Sequence, residues 1–225
     1  MNERILIVEK LSAQSNPIRA KQMEAYLRNQ FTFYGVMSGP RKEILKSMKT
    51  QLNGLSPNHK RELVLQLWNE KHRECQLFAI DWMMKWPLKE IVETDLDLFE
   101  KLILEKSWWD SVDGIAPNMV GKYAKKFPVL MDNRLASWTV HESFWIRRTC
   151  LIYQLRYRNT TDLQKLNFFI HNFKSDKEFF IQKAIGWSLR EVSKWNPIWV
   201  VQVVEFENLQ GLAKREALKY IPKNN

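Results

Sequence analysis

Glycine and proline are scarce, at seven and eight of 225 residues. So few turn formers ill suit a protein of many short strands. Leu, Ile, Lys, Glu, Trp and Phe dominate instead, which favours helices. Cysteine is rarer still. Cys75 and Cys150 both fall inside apolar helical stretches, with no partner at metal-site spacing. They read as small buried hydrophobes, and a reducing cytoplasm fits them. His59, His72, His141 and His171 form no cluster with Cys or with one another, so neither a structural nor a catalytic metal is expected, and no cofactor. No run approaches the roughly 18 apolar residues that span a bilayer. The opening stretch Ile5-Leu6-Ile7-Val8 is cut by Glu9 and Lys10, too short for a signal-peptide core. A soluble, cytoplasmic protein without a membrane partner is the expectation.

What is present in quantity is apolar residue and positive charge. Hydrophobic residues make up 45% of the chain, enough for a substantial core in a single domain over residues 1–225 or in one continuous array. The formal net charge is +10, from 35 Lys and Arg against 25 Asp and Glu, with a sequence pI near 9.6. Such a surplus points to a polyanionic partner, nucleic acid or an anionic membrane face, although a merely basic protein would fit charge alone equally well.

Along the chain, helical stretches alternate with short breaks. Asn16-Pro17 and Ser56-Pro57 each place a capping residue before a proline at the first helical position. Further breaks fall at residues 35–40, Trp86-Pro87, Phe127-Pro128 and Asn196-Pro197. Connections of about 2 to 8 residues suit a helical array. The run Val200-Val201-Gln202-Val203-Val204 is the one segment that reads equally as strand.

A repeat organises these stretches. Residues 108–116, 143–151 and 178–186 superimpose at an offset of 35, aligning Trp109 with Phe144 and Phe179, and Asp113 with Arg148 and Lys183. The same step takes Ile152 to Trp187, and one step back reaches Glu74 and Phe78. A period in the thirties with two helices per unit marks an all-α, HEAT-like repeat solenoid of antiparallel helix pairs. Aromatics at helical spacing are usually core. Three charged residues in one column are not, since charged side chains are rarely fully buried. Equivalent positions of successive repeats line one face, which would carry a carboxylate beside two cations with aromatics one turn away.

The segment Ser107-Trp108-Trp109-Asp110-Ser111-Val112-Asp113 concentrates chemistry. Ser107 can cap a helix, and Trp109 and Asp113 then share one face. A ring and an acid so placed can act together on a sugar. A core Trp109 and an Asp113 paired with a neighbouring Arg would satisfy the spacing as well.

Those residues, with Trp145-Ile146-Arg147-Arg148, the stretch Lys177 to Glu191 containing Gln182-Lys183-Ala184-Ile185-Gly186-Trp187-Ser188-Leu189-Arg190-Glu191, and Arg215 to Lys219, resemble the signatures of the AlkD-like DNA alkylation repair family. Phe33-Tyr34-Gly35-Val36 before Pro40-Arg41 is similar to its N-terminal loop, and Leu67-Trp68 with Glu74 and Ala79 to its first full repeat. The resemblance runs through essentially the whole chain. It implies a HEAT-like solenoid with a concave basic face that grips duplex DNA, and a glycosylase that excises cationic N3- and N7-alkylated purines without flipping the base. The family's catalytic acid falls on Asp113, its two sugar-facing tryptophans on Trp109 and Trp187, and its backbone-binding arginine on Arg148. Tyr26 matches an aromatic near the family's cleft. Arg147, Lys183 and Arg190 would add to the DNA-binding surface, with Lys122, Lys125 and Lys126 contributing.

The chemistry suits these assignments. A cationic purine leaves without strong protonation, and positive charge builds on the deoxyribose as its bond stretches. A carboxylate about 4 Å away at an effective dielectric near 20 is worth roughly 4 kcal/mol, on the order of a thousandfold in rate if it arises in the transition state. Each tryptophan face would add about 0.5 to 2 kcal/mol if desolvated. Two other readings compete: a non-catalytic damage-binding scaffold on the same repeats, and a solenoid that binds another protein. A monomer is expected.

Overall fold

The computed structural model describes residues 2–222. Apart from an isolated bridge between Thr32 and His72, the regular structure among them is helical, as the shortage of turn formers indicates. The chain forms two compact units, Met1–Glu90 and Ile91–Asn225.

The first unit holds α1 (Glu3–Ser12), α2 (Pro17–Tyr26), α3 (Ser38–Ser47), α4 (Lys49–Asn53), α5 (Pro57–Asn69) and α6 (Arg73–Met83). The starts read from Asn-Pro and Ser-Pro are real caps. Asn16 Oδ1 accepts from the Arg19 amide at 3.0 Å, and Ser56 Oγ from the His59 amide at 3.3 Å. Leu63, Val64, Leu67 and Trp68 of α5 pack with Phe78, Ala79 and Met83 of α6 to form the core. Glu74, wholly buried on α6, organises the loop before α3. Its carboxylate accepts from the amides of Tyr34 (3.0 Å), Gly35 (2.8 Å) and Val36 (2.9 Å). Gly35 is obligatory there. Its φ is +89°, and a Cβ would lie 2.2 Å from the Asn16 carbonyl oxygen.

The second unit holds α7 (Asp95–Leu104), α8 (Trp109–Ile115), α9 (Gly121–Lys126), α10 (Pro128–Thr139), α11 (Phe144–Ile152), α12 (Leu163–Phe173), α13 (Phe179–Ser193), α14 (Pro197–Phe206) and α15 (Gly211–Ala217). Chain neighbours pair, α7 with α8, α10 with α11 and α14 with α15, while α8 packs on α11, α11 on α13 and α13 on α15. The 35-residue register has a structural meaning here, because Trp109, Phe144 and Phe179 are the first residues of α8, α11 and α13. The ambiguous valine run lies inside α14. Asn196 caps the Trp199 amide at 3.2 Å and Pro197 opens the helix, so the start signal overrides β-branched propensity. Ser107 does not cap α8. Its hydroxyl donates back to the Ile103 and Leu104 carbonyls at the end of α7, which leaves Trp108 at the N-cap position.

Two further departures from regularity matter. After α8 the chain makes a π-turn, Ala116–Val120, with Pro117 inside it. The closest packing in the second unit falls at Gly186, where a Cβ would lie 2.4 Å from Glu216 Cβ and 3.0 Å from the Ala213 carbonyl oxygen. Cys75 and Cys150 lie buried on α6 and α11. No helix among the described residues is long and apolar enough to cross a membrane.

Gly186→Ala is expected to destabilise the protein by about 1–3 kcal/mol, because the α13–α15 contact has no room for a methyl group. Glu74→Ala is expected to cost about 3 kcal/mol or more by stranding the three loop amides. Urea denaturation monitored by tryptophan fluorescence measures both.

Candidate functional site

The site begins at the first turn of α8. Trp108 is extended, at φ −159° and ψ 163°, and its carbonyl accepts from the amides of Ser111 (3.2 Å) and Val112 (3.0 Å), so the helix starts with Trp109 already in its first turn. Asp113 follows one turn later on the same helix. Pro117 lacks the amide that would bond the Asp113 carbonyl in a regular helix, and the π-turn accommodates that loss. Asn118 Nδ2 satisfies the next carbonyl, that of Gly114, at 2.6 Å.

Arg148 reaches Asp113 from α11. Its Nε donates to Oδ1 and its Nη2 to Oδ2, each at 2.9 Å, a planar two-pronged pairing that lysine could not make. The third direction of the guanidinium, Nη1, donates to the Phe180 carbonyl in the first turn of α13. The Arg148 side chain is 3% exposed and that of Asp113 is 20% exposed. Both carboxylate oxygens are thus held by one guanidinium, each with a further lone pair left to accept, on a side chain that is mostly buried. Burial pushes the Asp113 pKa up; the Arg148 charge and hydrogen bonds oppose this, and the nearby Asp110 adds to the rise.

An aromatic cluster includes Phe180, whose carbonyl Arg148 reaches. Phe180 lies 4.8 Å from Trp145 and 5.5 Å from Trp108 between ring centroids, and it stacks on Phe144 at 6.1 Å. Trp108 and Trp145 are 5.9 Å apart. Edge-on and tilted contacts of this kind are favourable and exclude water. Sequence reasoning assigned no role to Trp108, Trp145 or Phe180, yet a signal was present. Aromatic doublets, Trp108-Trp109, Phe144-Trp145 and Phe179-Phe180, open all three helices of the repeat.

The other expected site residues divide by their surroundings. Arg148, expected to grip a phosphate, is nearly buried and has donors on Asp113 and on the Phe180 carbonyl. Arg147 points elsewhere, donating to the His141 carbonyl (2.6 Å), the Glu142 carbonyl (2.9 Å) and Asp176 (3.1 Å). Lys183 and Arg190 meet on Glu216 of α15, which accepts from Lys183 at 2.8 Å and from Arg190 as well. These two cations hold the Glu216 carboxyl below its usual range. Trp187, half-buried, sits between them in sequence on α13, one turn past Lys183. Lys125 lies over the Tyr157 ring at 4.2 Å and Lys126 donates to the Ile91 carbonyl at 2.7 Å. Tyr26 belongs to the first unit, 73% exposed at the end of α2. The structure therefore brings together Asp113, Arg148 and Trp109's helix, and separately Lys183, Arg190 and Glu216. Among the described residues no group of three or more His, Cys, Asp or Glu side chains is placed to hold a metal ion.

The model of a family described as DNA alkylation repair enzyme matches residues 7–221. A solved structure described as a predicted DNA alkylation repair enzyme from Enterococcus faecalis is similar to this chain with a TM-score of 0.86 and 32% sequence identity, over 94% of this chain and 98% of that one. No curated protein matches the sequence.

Arg148→Ala is expected to destabilise the fold by about 3–5 kcal/mol, since it leaves the Asp113 carboxylate and the Phe180 carbonyl without their donor. Lysine at this position should recover little of that loss, because a point charge cannot replace three directed bonds. Thermal unfolding of the two variants tests the claim, and equal melting temperatures for Arg148→Lys and the parent protein would refute it.

Proposed function

The chain belongs to the DNA alkylation repair enzyme family, whose model spans nearly its whole length, and on that footing we propose that it is a DNA glycosylase. Its substrate in this reading is duplex DNA carrying a cationic N3- or N7-alkylated purine, and the bond hydrolysed is the N-glycosidic one. The observation that carries the proposal is the Asp113 carboxylate, fixed by a buried arginine on a side chain that keeps 20% of its surface exposed, one helical turn from Trp109.

An alkylated purine takes the bonding electron pair as it leaves and becomes neutral, so it needs no strong acid. The positive charge passes to the deoxyribose. Asp113 would stabilise that charge and orient the water whose oxygen bonds to C1′, with the water's proton passing to solvent. Asp113 is shared with Arg148, so the roughly 4 kcal/mol of a bare carboxylate at 4 Å is an upper bound. A contribution of about 3 to 4 kcal/mol, two to three orders of magnitude in rate, is reasonable. Trp109 and Trp187 would present π-faces to the same developing cation. Arg148 acts through Asp113: it supplies geometry and keeps the acid ionised in a desolvated place.

One observation favours the competing reading of a non-catalytic damage-binding scaffold, namely that both Asp113 oxygens already accept a hydrogen bond from Arg148. The two readings part on a single assay. Abasic sites are quantified under single-turnover conditions on a duplex with one N7-methylguanine. The glycosylase reading expects base release by the parent protein and a 10²- to 10³-fold slower rate for Asp113→Asn with DNA affinity retained. Release no faster than the spontaneous rate, with DNA still bound, would leave the scaffold. Uracil and hypoxanthine, as neutral bases, should be removed far more slowly than N7-methylguanine.

The pH profile carries a further expectation. The ionised carboxylate is the active form and burial raises its pKa. The rate should therefore fall, as the solution is acidified, at a pH above that of an ordinary aspartate. In Arg148→Gln the opposing cation is gone and the midpoint should move higher still. A profile flat through the carboxylate range would remove Asp113 from the reaction.

A further inference from the structure

Most of the cations expected on a DNA-binding surface are occupied. Arg148 serves Asp113, Arg147 serves Asp176, and Lys183 and Arg190 serve Glu216. The charge available to a polyanion has to be sought elsewhere, and the first unit supplies a place. A groove of about 680 Å³ runs along α3, α4 and the end of α6, and Lys42, Lys46, Lys49 and Lys85 all line it. All four are exposed, and no hydrogen bond or ion pair among the described residues ties down any of their ammonium groups. The groove has two acids, Glu43 and Asp81, and Asp81 is already taken by the buried Arg41 at 2.8 Å. Leu45, Leu52 and Trp82, each nearly inaccessible, line its floor.

Lys42 and Lys46 fall at i and i+4 on α3, where like charges repel and destabilise the helix, and Lys49 follows as the first residue of α4. Such an arrangement is unfavourable in isolation and becomes favourable when a row of anions runs past it. The apolar floor strengthens the effect, because charges beside a low-dielectric wall are screened less than charges in open water. Flexible ammonium groups without directed partners suit a regularly charged backbone better than a single buried anion.

We propose that the Lys42/Lys46/Lys49/Lys85 groove is a binding site for the phosphodiester backbone of duplex DNA. The assignment rests on the glycosylase reading only for the identity of the polyanion; the groove and its free charge stand without it. Contacts of this kind position the duplex and carry no sequence information.

The test is the fourfold variant Lys42→Gln, Lys46→Gln, Lys49→Gln, Lys85→Gln, titrated with undamaged duplex DNA by fluorescence anisotropy over a range of KCl concentrations. Each phosphate contact contributes about 0.9 to the slope of log K against log salt. The slope is expected to flatten by about 2 to 4, with a roughly tenfold or greater loss of affinity at low salt. The matching fourfold arginine variant should retain the parent slope, and circular dichroism should show both variants folded. Failure of the glycosylase reading appears separately, as absence of single-turnover base release by the parent protein itself, and leaves the salt-slope test of the groove standing. An unaltered slope in the glutamine variant overturns the proposal. So does a loss of binding confined to single-stranded RNA or to anionic phospholipid vesicles, which would give the groove to another polyanion.

Discussion

The two-pronged bond between Arg148 and Asp113 is the constraint on which the second unit is built. Two opposite charges removed from water lose more hydration than a simple contact returns, unless geometry is near ideal and every remaining donor is satisfied. The pairing is close to ideal, and each of the three guanidinium nitrogens has an acceptor. The paired bonds are equal in length, and the leftover guanidinium nitrogen finds the Phe180 carbonyl. Meeting them dictates where three helices lie: α8 supplies the acid, α11 the base and α13 the carbonyl. The aromatic cluster of Trp108, Trp145 and Phe180 joins the starts of the same three helices.

Charge in this protein is organised by partner. In the second unit the cations on α11 and α13 turn toward carboxylates of neighbouring helices and of the connection before α13, so a net charge of +10 says little about where positive potential reaches solvent. The first unit treats its ions differently. Glu74 is spent on backbone amides, Arg41 neutralises Asp81, and the lysines of the groove form no ion pair among the described residues. A buried ion shapes the fold, whereas an unpaired surface ion acts at a distance that the salt concentration sets.

Much of the fold was legible because its signals are local. Asn16, Ser56 and Asn196 ahead of prolines mark helix starts through capping, which depends on a few adjacent residues. The 35-residue offset was legible as periodicity, and it falls on the first residues of α8, α11 and α13. Ser107 misled because a hydroxyl near a helix boundary can bond backward as well as forward, and the carbonyls of α7 were nearer. The division into two compact units left no mark in composition. At the site, sequence placed Asp113 and Arg148 in one column, but a column does not say which way a guanidinium points. Long side chains choose partners from helices distant in the chain, and Glu216, which claims both Lys183 and Arg190, lay beyond the three stretches that the register aligned.

Stacked helix pairs ordinarily behave as a one-dimensional array in which an end can fray while the middle holds. The second unit has two rivets against that. Opening α8 away from α11 would strand a buried guanidinium. Peeling α15 from α13 would break the contact at Gly186, where the backbones approach too closely for any side chain, and would release Glu216 from two cations. The stretch from α8 to α15 should accordingly exchange its amide hydrogens as one cooperative block rather than as a gradient from its C-terminal end.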